Sequence, residues 1–356
     1  MRQLDIRNIL IVRFSSIGDI VLTTPLVRAV RRRFPDARID FVTKREFAEL
    51  TQTNPHITTV YPYDARTGIR GIFALARQLR TQRYDLFIDL HKNFRTHCLR
   101  FLTNPAQITT FAKQIVNRTL LVRMGINRYG KILPVPERYL KPLHGFGVVN
   151  DDQGLELFPT TADRSHVNTI FEQEHLAEGE LVIGFGPITA HPLKQWPVER
   201  FIELGQQLVQ CYGARILLFG GTRDRQQVQR IAEQIPNAPI VLCDRLSLLE
   251  TAAAVQRCDL FLGNDTGIVH IAAAMQRKVI VLYGPTVEEF GFYPYRTQAL
   301  ALCKALPCRP CTHTGKGTCR LKTHACMSEI TTAEVIEAVE QMLGNQDERY
   351  KVKGEG

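Results

Sequence analysis

Three short polar segments, each following an apolar run, carry the side chains best suited to chemistry in this chain of 356 residues. The first is Ser15-Ser16-Ile17-Gly18-Asp19. Asp19 stands where a helical pattern begins, so its carboxylate can cap that helix or take a proton from a hydroxyl held beside it. Both roles remain open at this level, and one glycine falls short of a dinucleotide fingerprint. The second runs from Gly184-Phe185-Gly186 through Thr189 to Lys194-Gln195-Trp196-Pro197. Pro197 suits the first turn of a helix, which puts Thr189 and Lys194 in the loop beneath it, as a diphosphate clamp or as ordinary solvated side chains. The third is Gly263-Asn264-Asp265-Thr266-Gly267-Ile268-Val269-His270. Backbone N–H groups at a helix start, with Thr266 and Gly267, make an anion site, and His270 falls one turn inside on the face of Thr266. A plain capping turn would look the same, but a second glycine-bearing loop in the same half favours a nucleotide.

These loops need strands before them and helices after them, and the apolar pattern supplies both. Strands are expected at 9–14, 39–42, 58–61 and 86–90, with helices at 20–30 and 71–79. After a polar, irregular stretch at 150–178, read as a linker, the alternation restarts. Strands at 181–185, 215–219, 240–242 and 260–262, with a final one at 279–283, alternate with helices at 197–211, 225–234, 246–256 and 271–275. A last amphipathic helix covers 333–343, with a mobile tail after it. Short β-type runs alternating with longer helices imply parallel, doubly wound sheets, here as two Rossmann-like halves. In such sheets ligands bind at the carboxyl ends of the strands, where all three loops lie.

Composition narrows the class. Hydrophobic residues make 44% and charged residues 22%, ordinary globular values. No apolar run approaches the ~20 residues of a membrane span, and the N-terminus does not read as a signal peptide, so a cytoplasmic protein is expected. The net charge of +10 is uneven. Residues 1–150 hold 25 Lys/Arg against 10 Asp/Glu, and the remainder holds 20 against 25. The N-terminal half should therefore meet something anionic, such as a nucleic acid, a membrane surface or a phosphorylated molecule. Few aromatics interleave its arginines and no nucleic-acid module is recognisable, so no nucleic-acid partner is expected.

The segments Ile9-Leu10-Ile11-Val12-Arg13-Phe14-Ser15-Ser16-Ile17-Gly18-Asp19, Lys194-Gln195-Trp196-Pro197 and Gly263-Asn264-Asp265-Thr266-Gly267 with His270 resemble glycosyltransferase family 9, the lipopolysaccharide heptosyltransferases. Leu282-Tyr283-Gly284-Pro285-Thr286 is similar as well. The resemblance implies a GT-B fold, two Rossmann-like doubly wound domains facing a central cleft. The expected division is an acceptor-binding domain at 1–165, a nucleotide-sugar-binding domain at 166–330, and a C-terminal helix and tail at 331–356. It implies single-displacement, inverting transfer of a heptose from an ADP-sugar to the inner core of lipopolysaccharide. Asp19 matches the catalytic base and Lys194 the phosphate-binding lysine. Thr189, Asp265, Thr266, Gly267 and His270 match the donor site, while Ser15 and Gly18 shape the acceptor side. Ala190 replaces a second threonine, and the loop 220–224 lacks a glutamate that holds the donor ribose in some relatives. These departures leave nucleobase and sugar open. Another nucleotide-sugar, or an epimerase of the same architecture, is the alternative, with a basic nucleic-acid-binding protein as a more distant one.

No Asp-x-Asp is present to hold a divalent metal on a diphosphate, so the leaving group would rely on Lys194 and the helix start at Thr266. No cofactor is expected. The basic half suits an anionic glycolipid at a membrane surface, with Arg31, Arg32, Arg33, Lys92, Arg95 and Arg100 as candidate contacts, and a peripheral place on the inner face of the cytoplasmic membrane. The protein is expected to be a monomer. Cys303, Cys308, Cys311, Cys319 and Cys326, with His313 and His324, offer structural zinc as one reading and thiols, reduced or partly disulfide-linked, as the favoured one.

Overall fold

The computed structural model describes residues 5–344. Its contacts divide the chain into one unit of residues 1–113 and 133–158 and another of residues 114–132 and 159–356.

In the first unit, β1 (Asn8–Val12) is followed by α1 (Ile17–Val21) and α2 (Thr24–Arg33). β2 (Arg38–Lys44), α3 (Glu49–Gln52), β3 (Thr59–Tyr63), α4 (Gly68–Arg80), β4 (Leu86–Asp89), α5 (Phe94–Thr103) and β5 (Gln107–Thr110) follow. The five strands are parallel in the order β3-β2-β1-β4-β5. β1 lies between β2 and β4 under helices on both faces, which is why it reads as an unbroken apolar run. The helix expected at 20–30 is two helices. Pro25 stands in the first turn of α2, where its missing N–H costs nothing, and the chain turns at Leu22 and Thr23. Residues 114–132, with α6 (Ile115–Met124), pack in the other unit, against Phe290 through Leu121 and Tyr129. The chain then returns with α7 (Val135–Leu140).

The stretch expected as a linker is largely fixed structure. Arg28 on α2 holds Asp151 through Nε (2.6 Å) and Nη2 (2.8 Å), the Gly154 carbonyl through Nη2 (2.9 Å) and Glu156 through Nη1 (2.7 Å). Residues 161–173 form α8 (Thr161–Gln173), opened by a capping box between Thr160 and Asp163. The unit boundary accordingly falls at 158/159 rather than 165/166.

The second unit continues with β6 (Val182–Gly186), α9 (Val198–Tyr212), β7 (Arg215–Leu218), α10 (Arg225–Ala232), β8 (Ile240–Val241) and α11 (Leu248–Val255). It then runs through β9 (Leu260–Asn264), α12 (Gly267–Ala274), β10 (Lys278–Tyr283), β11 (Ala299–Cys303), α13 (Ala325–Ser328) and α14 (Thr332–Leu343). Its parallel sheet has the order β11-β10-β9-β6-β7-β8, that of a dinucleotide-type doubly wound fold. β10 is not the last strand. β11 adds at the edge, and its Ala-Leu-Ala-Leu-Cys run is only half-buried and lacks β-branched residues. α14 belongs to this unit rather than standing apart: Val335, Val339 and Met342 share a core with Ile183, Trp196 and Phe201. The tail expected to be mobile lies outside the described residues. Gly184 is needed at the centre of the sheet, since a Cβ there would meet Cys258 Sγ and Phe261 Cδ2 at 2.8 Å each.

Candidate active site

Each sheet reverses its winding once, between β1 and β4 in the first unit and between β6 and β9 in the second. Loops leaving the carboxyl ends of strands at such a reversal diverge and leave a crevice. The three chemically promising segments leave three of these four strands, which brings the predicted residues together in two clusters, one per unit.

In the first cluster β1 ends at Val12, so Arg13 leads straight into the Ser15–Asp19 loop. Asp19 is the third residue of α1 and serves as its cap partner: Oδ2 accepts from Ser16 N (3.1 Å) and Ser16 Oγ (3.0 Å). Its Oδ1 meets Arg13 Nη2 at 2.6 Å, with 21% of the Asp19 side chain exposed. Burial pushes the carboxyl up, but the guanidinium and the Ser16 donors outweigh it and hold Asp19 below the usual carboxylate range. The capping and functional roles are thus compatible in one side chain. Arg13 is itself fixed. It donates from Nε to Ser15 O at 2.8 Å and from Nη1 to Leu90 O, and lies over the Tyr139 ring. Gly18 is buried in the first turn of α1.

The β4 side contributes a residue that the sequence did not single out. His91 packs edge-on against Phe14, and its Nδ1 is buried without a partner. Burial, then the charges of Arg13 and Lys113, push its imidazole down to about 4, so it is neutral at pH 7. Nothing marks it in the sequence; only the strand order places it beside Asp19. Lys92 is anchored by its backbone, N–H to Asp89 Oδ1 (2.7 Å) and carbonyl to Lys113 Nζ (2.9 Å), and Arg95 is exposed on the first turn of α5. Arg31, Arg32 and Arg33 are occupied elsewhere, on the carbonyls of Pro35 and Ala37, on Asp151 and on the carbonyl of Phe146 respectively. These bonds tie α2 to its neighbours, while Arg32 and Arg33 remain exposed.

In the second cluster Lys194, on a 3-10 turn after β6, points its Nζ at Asp265 Oδ2 (2.5 Å) and at the Asp265 carbonyl (3.2 Å). Side-chain exposure is 12% for Lys194 and 8% for Asp265. Thr286 Oγ1 donates to the same Oδ2 at 3.0 Å, and Gly315, at φ +85°, lies against the lysine stem: a Cβ there would meet Lys194 Cγ at 2.7 Å. Asn264 ties the two loops, accepting from Trp196 N (2.9 Å) and donating to Pro187 O (2.9 Å). Thr189 N donates to Gln195 Oε1 at 3.0 Å and its hydroxyl accepts from His191 N at 3.1 Å. Thr266 is the N-cap of α12 with its hydroxyl not spent on capping, and Gly267 opens the helix. His270 is buried within α12. Thr286 and Gly315 went unmarked in the sequence. The run Gly284-Pro285-Thr286 hinted at the first, and nothing hinted at the second.

All nine cysteines are free thiols, and among the described residues no group of three or more His, Cys, Asp or Glu is arranged to hold a metal ion. Cys319 differs from the rest, because the N–H groups of His324, Leu321, Thr323 and Lys322 hold its thiol below the usual range.

Two parallel doubly wound sheets, each with polar loops at its reversal of winding, are the framework of the GT-B class. The profile of glycosyltransferase family 9 (heptosyltransferase) matches residues 72–322, and the chain belongs to that family. It is 25% identical to lipopolysaccharide heptosyltransferase 2 of Salmonella typhimurium over 80% of this chain and 84% of that one. Its fold superposes on a glycosyl transferase family 9 protein from Veillonella parvula with a TM-score of 0.79, at 26% identity, covering 96% and 98% of the two chains. The E. coli ADP-heptose lipopolysaccharide heptosyltransferase II gives 0.72 at 22% identity, covering 94% and 98%.

Proposed function

We propose that this glycosyltransferase moves a heptose from ADP-heptose to the inner core of lipopolysaccharide, with inversion and without a metal ion. The observation that carries the donor side is the buried Lys194–Asp265–Thr286 group beside the open start of α12. A fixed ammonium and unpaired helix N–H groups stabilise charge developing on a leaving diphosphate, the work a divalent cation does in other transferases. Asp265 is better read as the group that aims Lys194 than as a direct ligand of the phosphates, since two anions do not attract. Thr266 and Gly267 would meet the diphosphate, with Thr189 on the opposing loop.

Asp19 takes the base role. Oδ2 already accepts twice from Ser16, but Oδ1 keeps a lone pair beyond the one engaged by Arg13, so Oδ1 can accept from an acceptor hydroxyl. Its depressed pKa suits an ionised base at neutral pH. Transfer of the proton late in the reaction needs no stronger one, because the hydroxyl acidifies as its oxygen bonds the anomeric carbon. Names carried by the relatives support heptose, ADP and lipopolysaccharide as the reactants.

The decisive experiment is calorimetric titration with ADP, UDP and GDP, with and without EDTA, followed by transfer assays with the matching sugar. Selective ADP binding that survives EDTA, then transfer from ADP-heptose, is expected. A preference for UDP or GDP would keep the transferase and replace the sugar; loss of binding in EDTA would end the metal-free mechanism.

A further inference from the structure

The helices α4 and α5 lie side by side on one face of the first sheet. Their inner edges supply Ile72, Leu75, Ala76, Leu79 and Leu99 to a core with Leu10, Val12 and Phe87. Their outer surface is unusual for a solvated face. Phe94 is 74% and Phe101 85% exposed, and Ile69 and Phe73 are about half exposed on α4. The same two helices carry Arg70, Arg77, Arg80, Arg95 and Arg100 and no carboxylate. None of these five guanidinium groups has an ion-pair or hydrogen-bond partner among the described residues. Between the C-terminal ends of the helices a groove is lined by Phe73, Arg77, Arg80, Arg83 and Leu102. It sits at the amino ends of β4 and β5, opposite the end that carries Asp19.

We propose that this α4–α5 face binds the surface of a bilayer rich in anionic phospholipid, with the phenylalanines at the headgroup boundary and the arginines on the phosphates. A second copy of the chain is disfavoured as occupant, since pairing the face with itself would set unneutralised arginines against one another. Apolar side chains interspersed with unpaired cations on the outside of two parallel helices are what an in-plane membrane contact requires. The arginines supply long-range attraction, and their stems let the charged heads reach phosphates while the rings sit deeper. Of the residues first expected to serve this purpose the face keeps Arg95 and Arg100 and leaves out Arg31, Arg32 and Arg33 of α2, which are already bonded within the fold.

The test is flotation of the full-length protein with vesicles of phosphatidylcholine alone or mixed with phosphatidylglycerol. Binding is expected only to the mixed vesicles and should weaken as salt rises. Arg77→Ser with Arg80→Ser should lower the partition coefficient roughly thirtyfold. Phe94→Ser with Phe101→Ser should abolish the part of the binding that survives salt. These side chains point outward, so thermal melting of the variants should match the wild type. Equal binding to both lipids, unchanged binding of both variants, or capture of single-stranded RNA through the same arginines in place of vesicles would overturn the proposal. It stands apart from the transfer reaction: turnover of a delipidated acceptor without vesicle binding would remove this surface and leave the enzyme intact.

Discussion

At the scale of single residues, the site works through charges whose partners are already in place. Replacing Asp19 by Asn keeps its shape and part of its cap while removing the carboxylate proposed as the base. Turnover should fall by about 10²–10⁴-fold with ADP affinity unchanged, measured by kinetics and calorimetry on the same preparation. An equal loss of ADP affinity would reduce Asp19 to a helix cap. Arg13 adds a pH signature. Because it holds the folded Asp19 pKa below the ordinary carboxylate value, the acid limb of kcat/KM should lie below that value and move to higher pH in Arg13→Gln. Lys194→Ala should weaken ADP binding by tenfold or more, at about 1.5–3 kcal/mol for a charged hydrogen bond, and should lower thermal stability because it strands the buried Asp265 carboxylate. The thiols should differ in reactivity. Cys319, held low by backbone N–H groups, should alkylate first near neutral pH, and Cys258, pushed up by complete burial, last.

Elements hold these residues through contacts distant in the chain. The clamp of Arg28 on Asp151, Gly154 and Glu156 ties a stretch that looks like a linker to the helix following the Asp19 loop. The hydrogen bonds from Arg28, aided by the Gln153 N–H, outweigh burial and hold Asp151 well below the usual carboxylate range. A folded pKa depressed in this way stabilises the fold at pH values above the unfolded one, and that stability is lost as pH falls toward the folded value. Asp151→Ala should therefore cost about 1–3 kcal/mol at neutral pH, since it removes one of the partners of a buried guanidinium that keeps Glu156 and the Gly154 carbonyl, and should flatten the acid side of the stability curve. Denaturant melts of wild type and variant across pH would show whether the two curves converge in acid. In the second sheet, Gly184→Ala should destabilise by about 1–3 kcal/mol through overpacking against Cys258 and Phe261.

At the scale of the whole molecule, two parallel sheets of the same class recur in one chain, each presenting its reactive loops at its own reversal of winding. Among the described residues no helix is long and apolar enough to cross a membrane. The positive surplus of residues 1–150 is not spread evenly once folded: part of it is neutralised around α2, while the arginines of α4 and α5 stay unpaired. Charge counted along a chain says what kind of partner to look for; the fold says which of those charges remain available.

The sequence by itself determined the class of fold and singled out the candidate residues. Alternating apolar runs and amphipathic stretches fixed parallel doubly wound sheets because burial on both faces demands unbroken apolar strands. Motifs local to one loop, Ser15–Asp19 and Asp265–Gly267, were legible because a strand end, a turn and a helix start lie within a few residues. Tertiary structure alone decided everything that depends on strand order or distant contacts. It set Arg13 on Asp19, put His91 beside them, ran Thr286 and Gly315 against the Lys194–Asp265 pair, clamped Asp151 to α2, added β11 at the sheet edge and carried residues 114–132 into the second unit. Chain spacing carries no record of such meetings: they arise when strands distant in sequence become neighbours, and the hydrogen bonds and charges of a site are made between those neighbours.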